Sequence, residues 1–480
     1  MSSSESLEAQ VLQLQALLAA ALERIKQLEE ENAQLRSRLE QNSTNSSKPP
    51  SSDPPGTVRP APKPSRGRRP GGQPGHKKHE RALVPPEQVQ HFVDLVPKRC
   101  QSCQRRLSGK DTTPERHQVV ELPPVAAVVT EYRCHQLECA GCGSATRAPL
   151  PPEVTSAFGE RLAAVASVLV GKYRLSKRLV RDALSDLVGV ELSVGSVINL
   201  EREMSAALAG PVTEAEAFVR QADGVHADET GWAQGVEGGR SARAWLWVVA
   251  STLVAVFRIS TSRGSEVIKA LLGEDFLGWL VTDRWSAYNW YDAGLRQVCW
   301  AHVTRDFQGF IDRGGEGARL GEQLMSQRDR MFRWWRRVRD GTLSREVFQR
   351  RMRKVERAVG RLLREAVVCA EQRTAGMAEE ILKLEKCLWT FVDVPQLEPT
   401  NNFAERCIRP GVMYRKTSFG TRSPEGSRFV ERVLTAVTTL KLQERPVLDY
   451  LKQALAAHRH GLQPPSLLPS FETAPAALAA

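Results

Sequence analysis

No apolar run in this 480-residue chain approaches the roughly 18 residues needed to cross a bilayer, which excludes a membrane-spanning class. The N-terminus has no basic start followed by a greasy block, so a signal peptide is not expected. A cytoplasmic location follows, with nucleoid association when the chain is on DNA. Cysteine is scarce and odd in number: nine residues, four of them in two CxxC pairs. That count argues against a disulfide framework and for thiols and metal ligation in a reducing compartment. Acids fall short of bases, 55 against 67, and the resulting net charge of +12 points to a polyanionic partner. The hydrophobic fraction of 41% is ordinary, and the length leaves room for about three domains.

What is present is concentrated in PTNNFAERCIRPGVMYRKTSFGTRSPEGSRFVERVLTAVTTLK, residues 399–441. It sets one carboxylate, Glu405, among Arg406, Arg409, Arg415 and Lys416, which suits a phosphate substrate. Thr400 or Asn401 can cap the helix carrying Glu405, and Pro410 is expected to close it within about three turns. A surface Glu405 paired with Arg409 at i,i+4 is the ordinary alternative. Two upstream acids argue against it. Asp228 in VHADETGW and Asp283 in WLVTDRWSAY each end an apolar run that reads as a buried strand. Two acids on neighbouring strands and a third on a later helix match what a pair of hard divalent cations needs. Held about 4 Å apart, such cations stabilise both the attacking and the leaving oxygen of a phosphodiester displacement.

HADETGW, TDRWSAY, CWAH, TNN-x-AER-x-IRP, RK-x-SFGT and GSRFVER together resemble the DDE transposases of insertion-sequence family 66. The resemblance runs over nearly the whole chain. It implies an RNase H-like catalytic domain with Asp228, Asp283 and Glu405 as the triad, two Mg²⁺ or Mn²⁺ per site, and double-stranded DNA, both element ends and target, as partner. Accessory proteins encoded beside the element are typical of such transposases.

Taken in order, Leu7, Val11, Leu14, Leu18, Ala21, Ile25, Leu28, Asn32, Leu35 and Leu39 form a heptad seam over residues 1–40. A coiled coil is expected, with Asn32 at an a position favouring a parallel homodimer; higher oligomers stay open. Residues 41–90 are rich in Ser, Pro, Gly and bases, and read as a disordered basic linker. Cys100, Cys103, Cys139 and Cys142, within 91–150, can close one tetrahedral Zn²⁺ site, with Cys134 and His135 as alternative ligands. HQVVEL and VAAVVTEYR between the pairs read as the two strands of a zinc ribbon. Residues 155–210 read as three helices capped by Ser176 and Ser193. They form either a helix-turn-helix, with Lys172, Arg174, Lys177 and Arg178 on phosphates, or a plain packing module.

The pattern then turns to strands over 218–312, the first part of the catalytic core, ending in RQVCWAH, with His302 just past the last strand. Residues 313–397 form an arginine-rich helical insertion whose adjacent Trp334 and Trp335 suit unstacked bases. Residues 398–460 complete the core, with Phe429, Val433, Val437 and Leu440 facing the sheet, and 461–480 are a frayed tail. The fold class is multidomain α/β. The expected activity is cleavage of transposon ends and joining to target DNA. A structure-selective RNase H-like nuclease and a non-enzymatic zinc-ribbon, coiled-coil DNA-binding regulator are the rivals.

Overall fold

The computed structural model describes residues 2–45, 81–235 and 241–469. These fall into two compact units, one spanning 58–128 and the other the rest of the chain. Most of the basic linker, 46–80, and the last residues of the tail lie outside the described residues.

In the smaller unit the Cys100–Cys103 pair sits on a turn closed by the backbone bonds Gln104 N to Cys100 O (3.0 Å) and Cys100 N to Arg105 O (2.9 Å). The expected ribbon strands do not form: neither HQVVEL nor VAAVVTEYR makes a ladder. Val119, Val120, Leu122, Val125, Val128 and Val129 along them are exposed. The physical reason is that a strand needs a partner ladder and a face to bury, and Pro123-Pro124 removes two donors at the point where the runs would turn.

The larger unit begins with α1, Ser2–Glu40, one unbroken 39-residue helix. Its seam residues Leu14, Leu18, Ile25, Leu28, Leu35 and Leu39 are all exposed. After it, Ser43 is buried, and the Asn45 carbonyl lies where Gly309 leaves room for it. A two-strand hairpin, β1 (Gln136–Glu138) and β2 (Ala145–Arg147), brackets the second cysteine pair. Four helices follow: α2 (Glu160–Gly171), α3 (Lys177–Val188), α4 (Val194–Ala207) and α5 (Ala209–Arg220). Ser176 caps α3 by accepting from Leu179 N, and Ser193 caps α4 by accepting from Ser196 N, as the sequence suggests. These helices do not make a core of their own. Ala163, Val197, Leu200 and Met204 belong to the same buried apolar cluster as the sheet, so 155–210 packs as part of one body with the segments after it.

The central sheet contains β3 (Gly224–Gly235), β4 (Ser241–Ala250), β5 (Ala255–Ser260), β6 (Trp279–Thr282) and β7 (Arg296–Val298), with α6 (Ser265–Leu272) between β5 and β6. Its order is β5-β4-β3-β6-β7. The first three strands form an antiparallel meander, and β6 and β7 run parallel to β3. In β4, Leu246, Trp247, Val248 and Val249 are all fully buried, the mark of a strand covered on both faces.

Beyond β7, α7 (Trp300–Asp312), α8 (Gly315–Arg339), α9 (Arg345–Val367), α10 (Gln372–Leu382) and α11 (Thr390–Asp393) build a second apolar cluster seated on Val281, Val298 and Trp300. The insertion therefore folds as a helical body against the β6–β7 side. Trp335 belongs to that core, 6% exposed and packed on Phe348 and Phe391, so it is not free to stack on bases. Trp334 is half-buried under Arg351.

Three helices complete the fold: α12 (Asn402–Ser418), α13 (Pro424–Leu442) and α14 (Val447–Arg459). Phe429, Val433, Val437 and Leu440 of α13 are buried as expected. α13 also closes the outer edge of the sheet: Ala255 N, Phe257 N and Ile259 N of β5 donate to Thr439, Thr435 and Glu431 side chains. Pro410 does not end its helix; α12 runs through it to Ser418. Next to the proline, Gly411 has no Cβ and lets the helix backbone seat closely on Leu246. The start of the tail is docked, not frayed. Leu467 is fully buried, and its carbonyl accepts from Gln443 Nε2 at 2.8 Å. Among the described residues no helix is long and apolar enough to cross a membrane.

Candidate active site

Asp228 lies within β3, not at its end: the strand continues to Gly235, with Asp228 opposite Val248 of β4. On its other side β3 pairs with β6 only as far as His226 opposite Val281. Continuing that parallel register by two residues brings Asp228 level with Asp283, the residue after β6. The loop of Asp283 is tightly held. Its carboxylate accepts from Trp285 N at 2.8 Å, and its carbonyl accepts from Thr282 Oγ1 (2.7 Å) and from Arg296 Nη2 (3.1 Å), an arginine 1% exposed.

Glu405 enters from the first turn of α12. Burial raises its carboxyl above the usual range; Arg305 opposes the rise and Asp283 adds to it. Asp228 is held well above the usual carboxylate range by burial, then by the charges of Glu229, Asp283 and Glu405. Asp228 thus feels both of the other acids, the condition in which a carboxylate is left short of cations.

His302 follows β7, as the sequence suggests, and lies in the first turn of α7, whose N-cap is Cys299. Its Nδ1 is 4.0 Å from Glu405 Oε1, and both atoms are buried without a hydrogen-bond partner. Burial pulls the His302 pKa down to about 4, which leaves the imidazole neutral and able to offer a lone pair. Cys299 completes a cluster of three potential donor atoms within 4.8 Å of one another. Burial pushes its thiol up to about 11, and it accepts from Asn401 N, so it is the poorest ligand of the three. An unpartnered carboxylate oxygen fits a hard divalent cation, and the neutral imidazole facing it suits a borderline one.

The basic residues divide. Arg406, Arg409 and Lys416 are exposed on α12, and Arg178 is exposed on α3. Arg415 turns instead to β3, donating to Thr230 Oγ1 (3.2 Å) and to the Gly231 carbonyl. Lys177 pairs with the buried Glu201. Neither of these two is a free cation. Sequence reading missed Arg305, one turn after His302 on α7, half-buried and without a carboxylate partner among the described residues. Its neighbour Arg284 is neutralised by Asp306 at 2.8 Å. Glu229, next to Asp228, was also overlooked. It is buried, pairs with Arg263 at 2.7 Å and accepts from Tyr288 Oη at 2.6 Å, and the Arg263 guanidinium lies 3.7 Å over Trp285 of the Asp283 loop. Alternating apolar and charged letters in HADETGW gave no sign of which acid faced which side.

The second cysteine pair is on a turn closed by Cys139 N to Ser144 O (2.9 Å) and Gly143 N to Cys139 O (2.8 Å). Hydrogen bonds from Ser144 lower the Cys142 thiol, and donors from Cys103 and Ser102 lower Cys100.

An uncharacterized protein of Sinorhizobium fredii (strain NBRC 101917 / NGR234), y4qI, is 26% identical over 434 residues, which cover 83% of this chain and 76% of that protein. Residues 2–82 match a family of unknown function, DUF6444. Residues 156–429, more than half of the chain and containing all three acids, match the transposase IS66 family. The protein therefore belongs to the IS66 family of transposases, DNA-processing enzymes whose substrate is DNA and whose chemistry implies a divalent metal.

Proposed function

We propose that this transposase cuts the ends of its element and joins the freed 3′-hydroxyls to target DNA, using Asp228, Asp283 and Glu405 on an RNase H-like core. The strand order, a three-stranded antiparallel meander flanked by two parallel strands, supports the RNase H-like reading. What supports the proposal is that Asp228 stands level with Asp283 on adjacent strands and feels the charges of both Asp283 and Glu405, while Glu405 Oε1 and His302 Nδ1 are buried and unpartnered. Two divalent cations, when bound, supply Lewis acidity toward the attacking and leaving oxygens. Asp228 and Asp283 would hold them from adjacent strands, with Glu405 adding a carboxylate from the helix. Arg305 on α7 is set to contact the scissile phosphate, and Arg406, Arg409 and Lys416 on α12 to follow the flanking backbone. Arg415 and Lys177, already engaged, act by bracing β3 and α4.

Further parts of the reading rest on sequence and local form. A structural Zn²⁺ held by Cys100, Cys103, Cys139 and Cys142 rests on the two CxxC pairs of the sequence, and hydrogen bonds lower one thiol in each turn. The exposed seam of α1 supports a parallel dimer. Element-encoded accessory proteins remain part of the proposal through the family alone.

Strand joining tests the function. A pre-cleaved element end bearing a free 3′-hydroxyl, incubated with a second duplex and Mg²⁺ alone, is expected to give joined product that Asp283→Asn abolishes. Shortened strands without joining, across several candidate ends and with accessory proteins supplied, would reassign the chain as a nuclease; a gel shift without either would make it a regulator.

A further inference from the structure

Asn401 reads in the sequence as a helix cap, and its side chain does not cap: no side-chain bond to the first turn of α12 exists. The residue is 1% exposed, and its polar groups all go elsewhere. Nδ2 donates to the Ala227 carbonyl at 2.8 Å, the peptide that leads into Asp228. Oδ1 lies 3.0 Å from His226 Nδ1, one residue further back on β3. An amide oxygen can only accept, so His226 Nδ1 carries the hydrogen and donates to Oδ1. The backbone N–H of Asn401 donates to Cys299 Sγ at 3.1 Å. Cys299 N in turn donates to the Thr282 carbonyl at 2.8 Å, the residue before Asp283, and Cys299 caps the helix of His302. Finally, the Asn401 carbonyl accepts from Glu405 N at 3.2 Å. One side chain and its peptide are thus bonded beside Asp228 and to Glu405 itself, and stand one residue from the bond that holds the Asp283 loop.

We propose that Asn401 is the positioning residue of the triad, fixing the mutual spacing of Asp228, Asp283 and Glu405 so that they present one divalent-cation site. The inference rests on the reading of these acids as metal ligands. An amide is the side chain this position requires, because it must donate to one carbonyl and accept from one imidazole at once. Ala satisfies neither partner, and Asp sets an oxygen against the Ala227 carbonyl. Both leave buried polar groups unpaired in the strand next to a ligand, where supporting contacts typically carry about 10–100-fold in metal affinity.

The test is a titration of the full-length protein with Mn²⁺ alone, followed by calorimetry, beside a thermal melt and DNA binding. Asn401→Ala is expected to melt cooperatively and bind DNA within about twofold of wild type, yet to weaken Mn²⁺ by at least about tenfold. Asp283→Asn is the control that removes a ligand outright. Should Asn401→Ala fail to fold, His226→Phe decides: it keeps the ring packing on Trp279 and Phe403, carries no charge change and removes only the donor to Oδ1. Weakened Mn²⁺ in His226→Phe supports the positioning role. Wild-type Mn²⁺ affinity in a folded Asn401→Ala, or in His226→Phe when the first is unfolded, overturns it. Wild type that binds Mn²⁺ but joins no DNA would sink the transposition chemistry and leave the Asn401 result intact.

Discussion

Replacing Asp228 by Asn should move stability and activity in opposite directions. In the metal-free protein the Asp228 carboxylate is disfavoured by burial and by the charges of Glu229, Asp283 and Glu405. Asn has nearly the same shape, and its Oδ1 can still accept from Glu229 N, the bond the carboxylate makes at 2.9 Å. The substitution therefore removes repulsion without opening a cavity. Relief of a strained functional site is commonly worth about 0.5–2 kcal/mol. For a folded body of more than about 250 residues, where 1 kcal/mol moves the midpoint by at most about 2 °C, that corresponds to a rise of roughly 1–4 °C in EDTA. With Mg²⁺ the order should reverse. Wild type gains about 2.7 kcal/mol at a metal concentration of a hundred times Kd, and the variant, short of a ligand, gains much less. Strand cleavage should fall by at least about 10³-fold, since several kcal/mol of charge stabilisation at about 1.36 kcal/mol per decade is lost. Differential scanning calorimetry with EDTA and with Mg²⁺, run beside a cleavage assay, measures all three effects. A variant that melts well below wild type in EDTA would make Asp228 a structural residue, and near-normal cleavage would remove it from the triad.

Two other expectations concern the N-terminal segments. Freshly purified protein should contain about one zinc per chain by elemental analysis, and Cys139→Ala should release it; wild type with no metal would return all four thiols to ordinary free cysteines. A peptide of residues 1–42 should sediment as a helical dimer, and Asn32→Ile should tighten it while loosening its oligomer specificity, whereas a wild-type monomer at high concentration would reject the seam.

The acids were legible because each kind of signal was local. Asp228 and Asp283 follow buried apolar runs, and Glu405 lies in a long motif, so type and approximate position could be read directly. Their exact settings could not. β3 outlasts β6, so Asp228 is interior to its strand, a fact of pairing that no single strand reveals. Asn401 and Pro410 were read by their usual habits, capping and breaking; for Asn401 a tertiary contact overrode the habit, since β3 claimed the amide, and α12 runs on through Pro410. Trp335 was read as a surface aromatic beside arginines because a composition run does not say which face of a helix is buried. The ribbon strands failed for the opposite reason, since β-propensity without a partner makes no ladder. Arg305 had no signal except its spacing of three from His302.

The bonds between α13 and β5 behave as a vernier. Helix positions 431, 435 and 439 advance about 6.0 Å per step of four residues, and strand positions 259, 257 and 255 advance about 6.6 Å per step of two. The two rulers agree at one rung and drift by about 0.6 Å at each further rung, so three rungs accumulate a little over 1 Å, within the tolerance of a hydrogen bond. A fourth and fifth would not fit. The edge strand can therefore be only as long as this register allows, and β5 ends at six residues. Because every rung uses a strand N–H that would otherwise face outward, another chain cannot zip onto this edge of the sheet.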